Sequence, residues 1–226
     1  MAVAAPSRHD GRVTETTIDV LTATTTERAA LARDLAGLDH ADWARPSLCG
    51  RWTVEEVVAH LTAAASLGRA RWMRSVLGAR FDFDEHNARR LAEHRGANPA
   101  ETLARFQAIV PSTTSTFGPK EAWLGEVVIH SADIRRPLGI EHTPDAAATT
   151  RLAEFLARTN FTVPSKKVAA GLRLEASDGP FAVGAGPVVR GSTLALIMAM
   201  AGRSAYLDDL LGPGVDVLAQ RVTAAS

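Results

Sequence analysis

A chain of 226 residues, 46% hydrophobic and 22% charged, is ordinary globular material, long enough for one large domain or a domain with a small appendage. Its 25 basic residues balance 25 acidic ones, so no overall field draws it to nucleic acid or to an anionic membrane surface. A single cysteine, Cys49, excludes an internal disulfide framework and fits a reducing compartment; no apolar run approaches signal-peptide or membrane-helix length, so the expectation is a soluble cytoplasmic protein.

Residues 1–14 are small and polar and read as a frayed lead-in. Apolar residues at helical spacing (Ile18, Leu21, Ala29, Leu31, Leu35, Leu38) predict a first helix from about 17 to 38, its start blurred by Thr22 and Thr24 to Thr26. Asp39-His40-Ala41-Asp42 reads as the exit, and Trp43 to Trp52 as a loop with two tryptophans, Pro46 and Gly50. Thr53 and Glu56 form a capping box, which opens a second helix from Val54 to about Leu77. Val57, Val58, Leu61, Ala64, Ala65 and Leu67 make its apolar stripe, and His60 sits beside it. The charged connection 78–98 includes Phe81-Asp82-Phe83-Asp84-Glu85-His86-Asn87; a stretch so long is unusual without structure, so 85–94 is predicted helical.

Asn98 as cap and Pro99 in the first turn start a third helix, which runs to about Phe117 on Leu103, Phe106, Ile109 and Val110, with Pro111 kinking or ending it. A fourth runs from Lys120 to Arg135 and is ended by Pro137-Leu138-Gly139; a fifth spans about 144–159. The texture then changes. Residues 171–177 alternate at period two, Asp178-Gly179 is a turn signal, Phe181 to Val183 is a partner strand and Pro187 to Arg190 a third. Ser192 caps a small apolar helix over 193–201, and a last short helix covers 205–211. The expected architecture is mainly α: a four-helix bundle over 15–160, then a small α/β segment over 165–226.

The chemistry concentrates in Gly125 to Asp133. Glu126 and His130 stand four apart on the fourth helix, so both side chains share one face, about 5–6 Å apart at Cβ. A carboxylate and an imidazole so placed can share a divalent cation, and His60 is the other histidine in strongly helical, apolar surroundings. The bland alternatives are an exposed Glu–His ion pair and a satisfied core histidine. Against them, Val127, Val128 and Ile129 make the helix around Glu126 apolar, where a carboxylate needs a partner, and bundles often build metal sites from inward side chains. Three protein ligands with an open fourth position is the catalytic form of a zinc site.

His9, His40, His86, His94 and His142 lie in tail, loop or charged connection and carry no chelate spacing. Cys49 could be a soft ligand or nucleophile, but it has no CxxC partner and reads as a small structural hydrophobe beside the tryptophan loop. Asp133 can accept from an imidazole N–H or pair with Arg135 or Arg136. There is no G-x-S-x-G and no H-E-x-x-H, and Gly184-Ala185-Gly186-Pro187-Val188-Val189-Arg190-Gly191 has its glycines misplaced for a dinucleotide loop.

Trp43, Pro46 to Cys49 and Trp52-Thr53-Val54-Glu55-Glu56-Val57-Val58-Ala59-His60-Leu61 resemble the tryptophan loop and helix-two histidine of the mycothiol-dependent maleylpyruvate isomerase family, within the DinB-like bundle superfamily. The Phe81 to Asp84 block with Asn87, Glu126-x-x-x-His130, Asp133 to Gly139 and the tail from Gly184 to Gly202-Arg203 are similar to that family's later blocks. The resemblance implies a DinB-like four-helix bundle holding a divalent metal, usually zinc, through His60, Glu126 and His130. It also implies mycothiol as thiol co-substrate, with an electrophilic small molecule as the other partner. Arg203 is the cationic contact it suggests for thiol or substrate; Arg71, Arg74 and Arg80 are weaker candidates.

The expected activity is isomerisation or thiol transfer by a thiol activated at the metal, with Glu126 a ligand and not a general base. The alternative is a non-catalytic bundle that binds an apolar small molecule or a protein partner. Neutral net charge disfavours a DNA-binding regulator, and a homodimer is an open expectation.

Overall fold

The computed structural model describes residues 19–50, 52–66, 91–114 and 118–225. The lead-in 1–14, the second helix beyond Ser66, the Phe81 to Asn87 block, most of 85–94, the end of the third helix at Phe117, and His9, Arg71, Arg74 and Arg80 lie outside these residues.

In chain order the elements are α1 (Val20–Ala36), α2 (His40–Trp43), α3 (Val54–Ser66), α4 (Pro99–Ile109), α5 (Lys120–Leu138), α6 (Ala146–Arg158) and α7 (Ser165–Ala169). Strands β1 (Arg173–Ala176), β2 (Ala182–Val183) and β3 (Val188–Gly191) follow, then α8 (Thr193–Met200), a 3-10 helix (Ser204–Asp209) and α9 (Val215–Ala225). Local chemistry sets most boundaries. Asp19 accepts from the amides of Leu21 and Thr22 to start α1, and the Thr24 hydroxyl bonds back to the Val20 carbonyl, so the threonines are absorbed into the helix. The capping box forms as read: the Glu56 amide donates to Thr53 Oγ1, and the Thr53 amide to Glu56 Oε2 at 2.8 Å. Asn98 and Ser192 cap α4 and α8.

Four expectations are corrected. The helix expected last, over 205–211, is the 3-10 helix Ser204–Asp209, and α9 follows it. Asp39-His40-Ala41-Asp42 is not only an exit: Asp39 accepts from the Asp42 amide and caps the single turn α2. Helix α4 stops at Ile109, before Pro111. Helix α5 does not end at Arg135 but continues through Pro137 to Leu138, closed by Gly139 in the left-handed region at φ 68°. Proline lacks the N–H that would bond the Asp133 carbonyl one turn back, and that carbonyl accepts instead from the Leu48 amide of the tryptophan loop at 3.0 Å. Arg45 donates to the Pro137 carbonyl at 2.6 Å, a second tie between loop and helix end.

Helices α1, α5, α3 and α4 pack in a closed ring, each against the next. Inside it lie Leu31, Leu35, Trp43, Val54, Val57, Val58, Leu61, Phe106, Val127 and Ile134. The other side of α5, with Leu124, Val128, Ile129 and Ala132, joins a second core with α6, the sheet, α8 and α9. Helix α5 is therefore the wall between two cores. The sheet order is β2-β1-β3, with β1 antiparallel to β2 and parallel to β3. Reaching that order from β2 takes the chain across the start of β1. Gly184 (φ 78°) and Gly186 (φ 126°) make the crossing, where a Cβ would lie 2.2 Å from the carbonyl oxygens of Leu172 and Gly171 respectively. The glycines that superficially suggest a dinucleotide loop are a close backbone crossing.

Candidate metal centre

Helices α3 and α5 are neighbours in the ring, which brings His60 opposite Glu126 although 66 residues separate them. His60 Nε2 lies 2.5 Å from Glu126 Oε1, and His130 Nε2, one turn along α5, lies 3.7 Å from the same oxygen. The two imidazoles meet edge to face with centroids 5.0 Å apart, and the Trp52 ring packs against His60 at 4.9 Å. One donor atom from each of His60, Glu126 and His130 falls within 4.8 Å of the others. The side chains are 21%, 29% and 12% exposed, so a small molecule reaches them while most of each is shielded.

Burial pushes the Glu126 carboxyl upward, but the charge and hydrogen bond of His60, then His130 and Arg203, outweigh it and hold Glu126 at about 2. Burial pulls the His130 imidazole down, and hydrogen bonds to Asp133 and Cys49 with the Glu126 charge reverse this, raising it to about 10. A cation entering here displaces protons held by the same groups that bind it.

Behind the donors stands a second layer. His130 Nδ1 donates to Asp133 Oδ2 at 3.0 Å, and Asp133 is fully buried. Its carboxylate also accepts two bonds from Arg203, Nε to Oδ1 at 3.0 Å and Nη2 to Oδ2 at 2.8 Å. Burial raises the Asp133 carboxyl, but these bonds and the Arg203 charge leave it below the ordinary range. Asp133 therefore takes the imidazole role weighed for it, and Arg135 and Arg136 pair elsewhere: Arg135 with Asp34 at 2.7 Å, Arg136 with Asp209. Cys49 groups with His130 and Asp133, not with His60 and Glu126. His142 is tied to buried Glu27 at 2.8 Å, and His40 lies in α2.

The donor chemistry fits a divalent cation of borderline softness such as zinc: two imidazoles and one carboxylate, one imidazole oriented by a carboxylate behind it. Tetrahedral zinc spaces such donors about 3.3–3.5 Å apart, so the His130 to Glu126 contact suits it nearly as it stands, and the His60 to Glu126 contact opens by roughly 1 Å.

Residues 24–129 match the model of the mycothiol maleylpyruvate isomerase N-terminal domain. That segment, a little under half of the chain, is similar to the N-terminal domain of this family. His60 and Glu126 fall inside the matched segment of this family's domain, and His130 follows it directly. Two solved structures share the fold: the mycothiol-dependent maleylpyruvate isomerase, with a TM-score of 0.59, and a histidine-to-alanine mutant of it, with 0.57. Each is 18% identical to this chain and covers 86% of it and 91% of its own length. No curated protein matches the sequence.

Reading residues alone missed the Trp52 contact with His60 and the Asp133–Arg203 pair. Pro137, read as the helix stop but found inside α5, was the one local signal: within a helix it leaves the Asp133 carbonyl in need of an outside donor.

Proposed function

We propose that this chain is a metal-dependent isomerase or thiol transferase of the maleylpyruvate isomerase type, using a low-molecular-weight thiol, mycothiol, as co-substrate. The observation that carries the reading is the convergence of His60, Glu126 and His130, with donor atoms within 4.8 Å of one another and each side chain partly exposed. These residues would hold a divalent cation, zinc by its donor preferences, with a position left open. The group would supply Lewis acidity, converting a bound thiol, ordinarily near pKa 8.5, to its thiolate at neutral pH.

The chain's own residues set the stage for that chemistry. Asp133 fixes the His130 ring so that Nε2 faces Glu126. Trp52 walls off one side of His60. Glu126, flanked by two imidazoles and held ionised, serves as a ligand and not as a proton acceptor for substrate. The thiolate of the co-substrate adds to a conjugated double bond, rotation follows about the new single bond, and expulsion of the same thiolate yields the isomer. With a leaving group on the electrophile, displacement gives the transferase outcome instead. The bundle over 15–160 as the metal-binding part, the segment over 165–226 as its completion, and a cytoplasmic location belong to the same reading. Among the described residues no helix is long and apolar enough to cross a membrane.

The test is turnover of maleylpyruvate and of thiol-reactive electrophiles by the purified full chain. It is run with and without mycothiol, before and after chelation. Turnover that needs the thiol, is lost on chelation and returns with zinc supports the reading. Turnover indifferent to chelator or thiol sinks it.

A further inference from the structure

We propose that Arg203 is a positioning residue: it clamps Asp133, which holds the His130 ring, so the C-terminal segment sets the geometry of the centre without touching thiol or substrate. This rests on the metal reading above and departs from the contact role that family resemblance suggests for Arg203.

A guanidinium has five N–H donors in a fixed fork. Here Nε and Nη2 both face the Asp133 carboxylate, at 3.0 and 2.8 Å, the bidentate arrangement that gives such pairs their specificity. Nη1 donates to the Ala201 carbonyl at 2.7 Å, and Nη2 also lies 3.9 Å from Cys49 Sγ. The side chain is 15% exposed and its partner carboxylate is not exposed at all. An arginine arranged this way has little left to offer an anion. Turning it outward would strand a buried carboxylate without its counter-charge.

Asp133 is fixed on three sides. Arg203 comes from the turn after α8, 70 residues away in sequence. The Leu48 amide takes the backbone carbonyl that Pro137 leaves free. His130, three residues back on α5, receives the remaining direction of the carboxylate. The tryptophan loop and the C-terminal segment thus meet at one buried residue, and what they hold still is the imidazole one layer nearer the open face. A carboxylate behind a ligating histidine raises metal affinity by about 10–100-fold where its removal has been measured. A clamp on that carboxylate acts through the same term.

The test uses the full chain as wild type, Arg203→Ala and Arg203→Lys, with two readouts. The first is zinc affinity by competition with a chromophoric chelator. The second, on metal-free protein, is the His130 Nδ1 proton by histidine-selective NMR, which a carboxylate hydrogen bond in a buried site protects from exchange. The clamp predicts that Arg203→Ala weakens zinc binding about 10–100-fold and loses the protected proton, while Arg203→Lys, with one contact for two, falls between. Zinc affinity within about twofold of wild type and an intact Nδ1 proton in Arg203→Ala, with only KM for thiol or electrophile raised, would overturn it and make Arg203 a substrate contact. If Arg203→Ala does not fold, the same readouts on Arg203→Lys decide: wild-type values for both overturn the clamp. Should the wild type bind no zinc, the metal reading fails by itself and the Nδ1 proton alone judges the clamp.

Discussion

Replacing Asp133 with asparagine probes the layer behind the donors. The amide keeps one oxygen acceptor and puts an NH2 where the carboxylate had its second oxygen. That NH2 then faces either an Arg203 N–H or the His130 Nδ1–H, both donors. Breaking a buried ion pair by removing one partner costs about 3–5 kcal/mol, because the survivor is left uncompensated. Arg203 retains 15% exposure, which places the cost at the low end, about 3 kcal/mol. For a chain of 226 residues each kcal/mol moves Tm by about 2–4 °C, so the melting temperature falls by roughly 6–12 °C. The assay is thermal denaturation of metal-free protein followed by circular dichroism, with chelator present so that lost metal does not add to the drop. Arg136→Ala is the internal control. It breaks a more exposed pair with Asp209, at 33% and 38%, worth at most about 1 kcal/mol, and should cost no more than about 4 °C. An Asp133→Asn protein that melts within the range of this control would refute the claim that Asp133 is a buried, ionised hub.

Other variants test separate parts of the account. Gly186→Ala places a Cβ 2.2 Å from the Gly171 carbonyl oxygen at a φ of 126°, where backbone faces backbone and cannot give; it should cost more than about 3 kcal/mol in urea denaturation, whereas Gly50→Ala, in open space at φ 60°, should cost about 1 kcal/mol. The Glu101 carboxyl is held below its ordinary range by the Ala97 amide and then by Arg105, so its stabilisation is complete above the ordinary pKa near 4.3 and is lost as pH falls through the lowered one. Glu101→Gln should therefore lower stability at pH 7 and flatten that part of the acid limb, read by urea midpoints between about pH 2 and 7. Cys49→Ser should leave the metal stoichiometry unchanged, because Cys49 groups with His130 and Asp133 and not with His60 and Glu126; a loss of bound metal on elemental analysis would place the thiol among the donors.

The features readable in the residues are those with local causes. The capping box at Thr53, the cap at Asn98 and the period of the long helices foretell α3, α4 and α5, and with them the helix pair that carries His60, Glu126 and His130. The single turns α2 and α7 have too few residues to show a period, and Ser165–Ala169 is anchored by the Ser165 hydroxyl on the Leu156 and Thr159 carbonyls, which is a tertiary contact. Val215, Leu218 and Val222 do carry helical spacing after the Gly212-Pro213-Gly214 break, yet the helices expected from the sequence end at 211 and miss α9. What no local rule supplies is pairing. Arg135 and Arg136 are the candidates for Asp133 on paper; the packing of α8 and its following turn against α5 brings in Arg203, 70 residues away, instead. The cation at Arg203 could be picked out in advance, but not that its fork is turned toward Asp133.

The most direct measurement is the metal content of the purified full chain by elemental analysis after zinc loading and desalting, beside His60→Ala, Glu126→Gln and His130→Ala. The account predicts close to one zinc per chain in the wild type and almost none in each variant, with all four proteins folded. A wild type that retains no metal, or single variants that each retain a full equivalent, would contradict it.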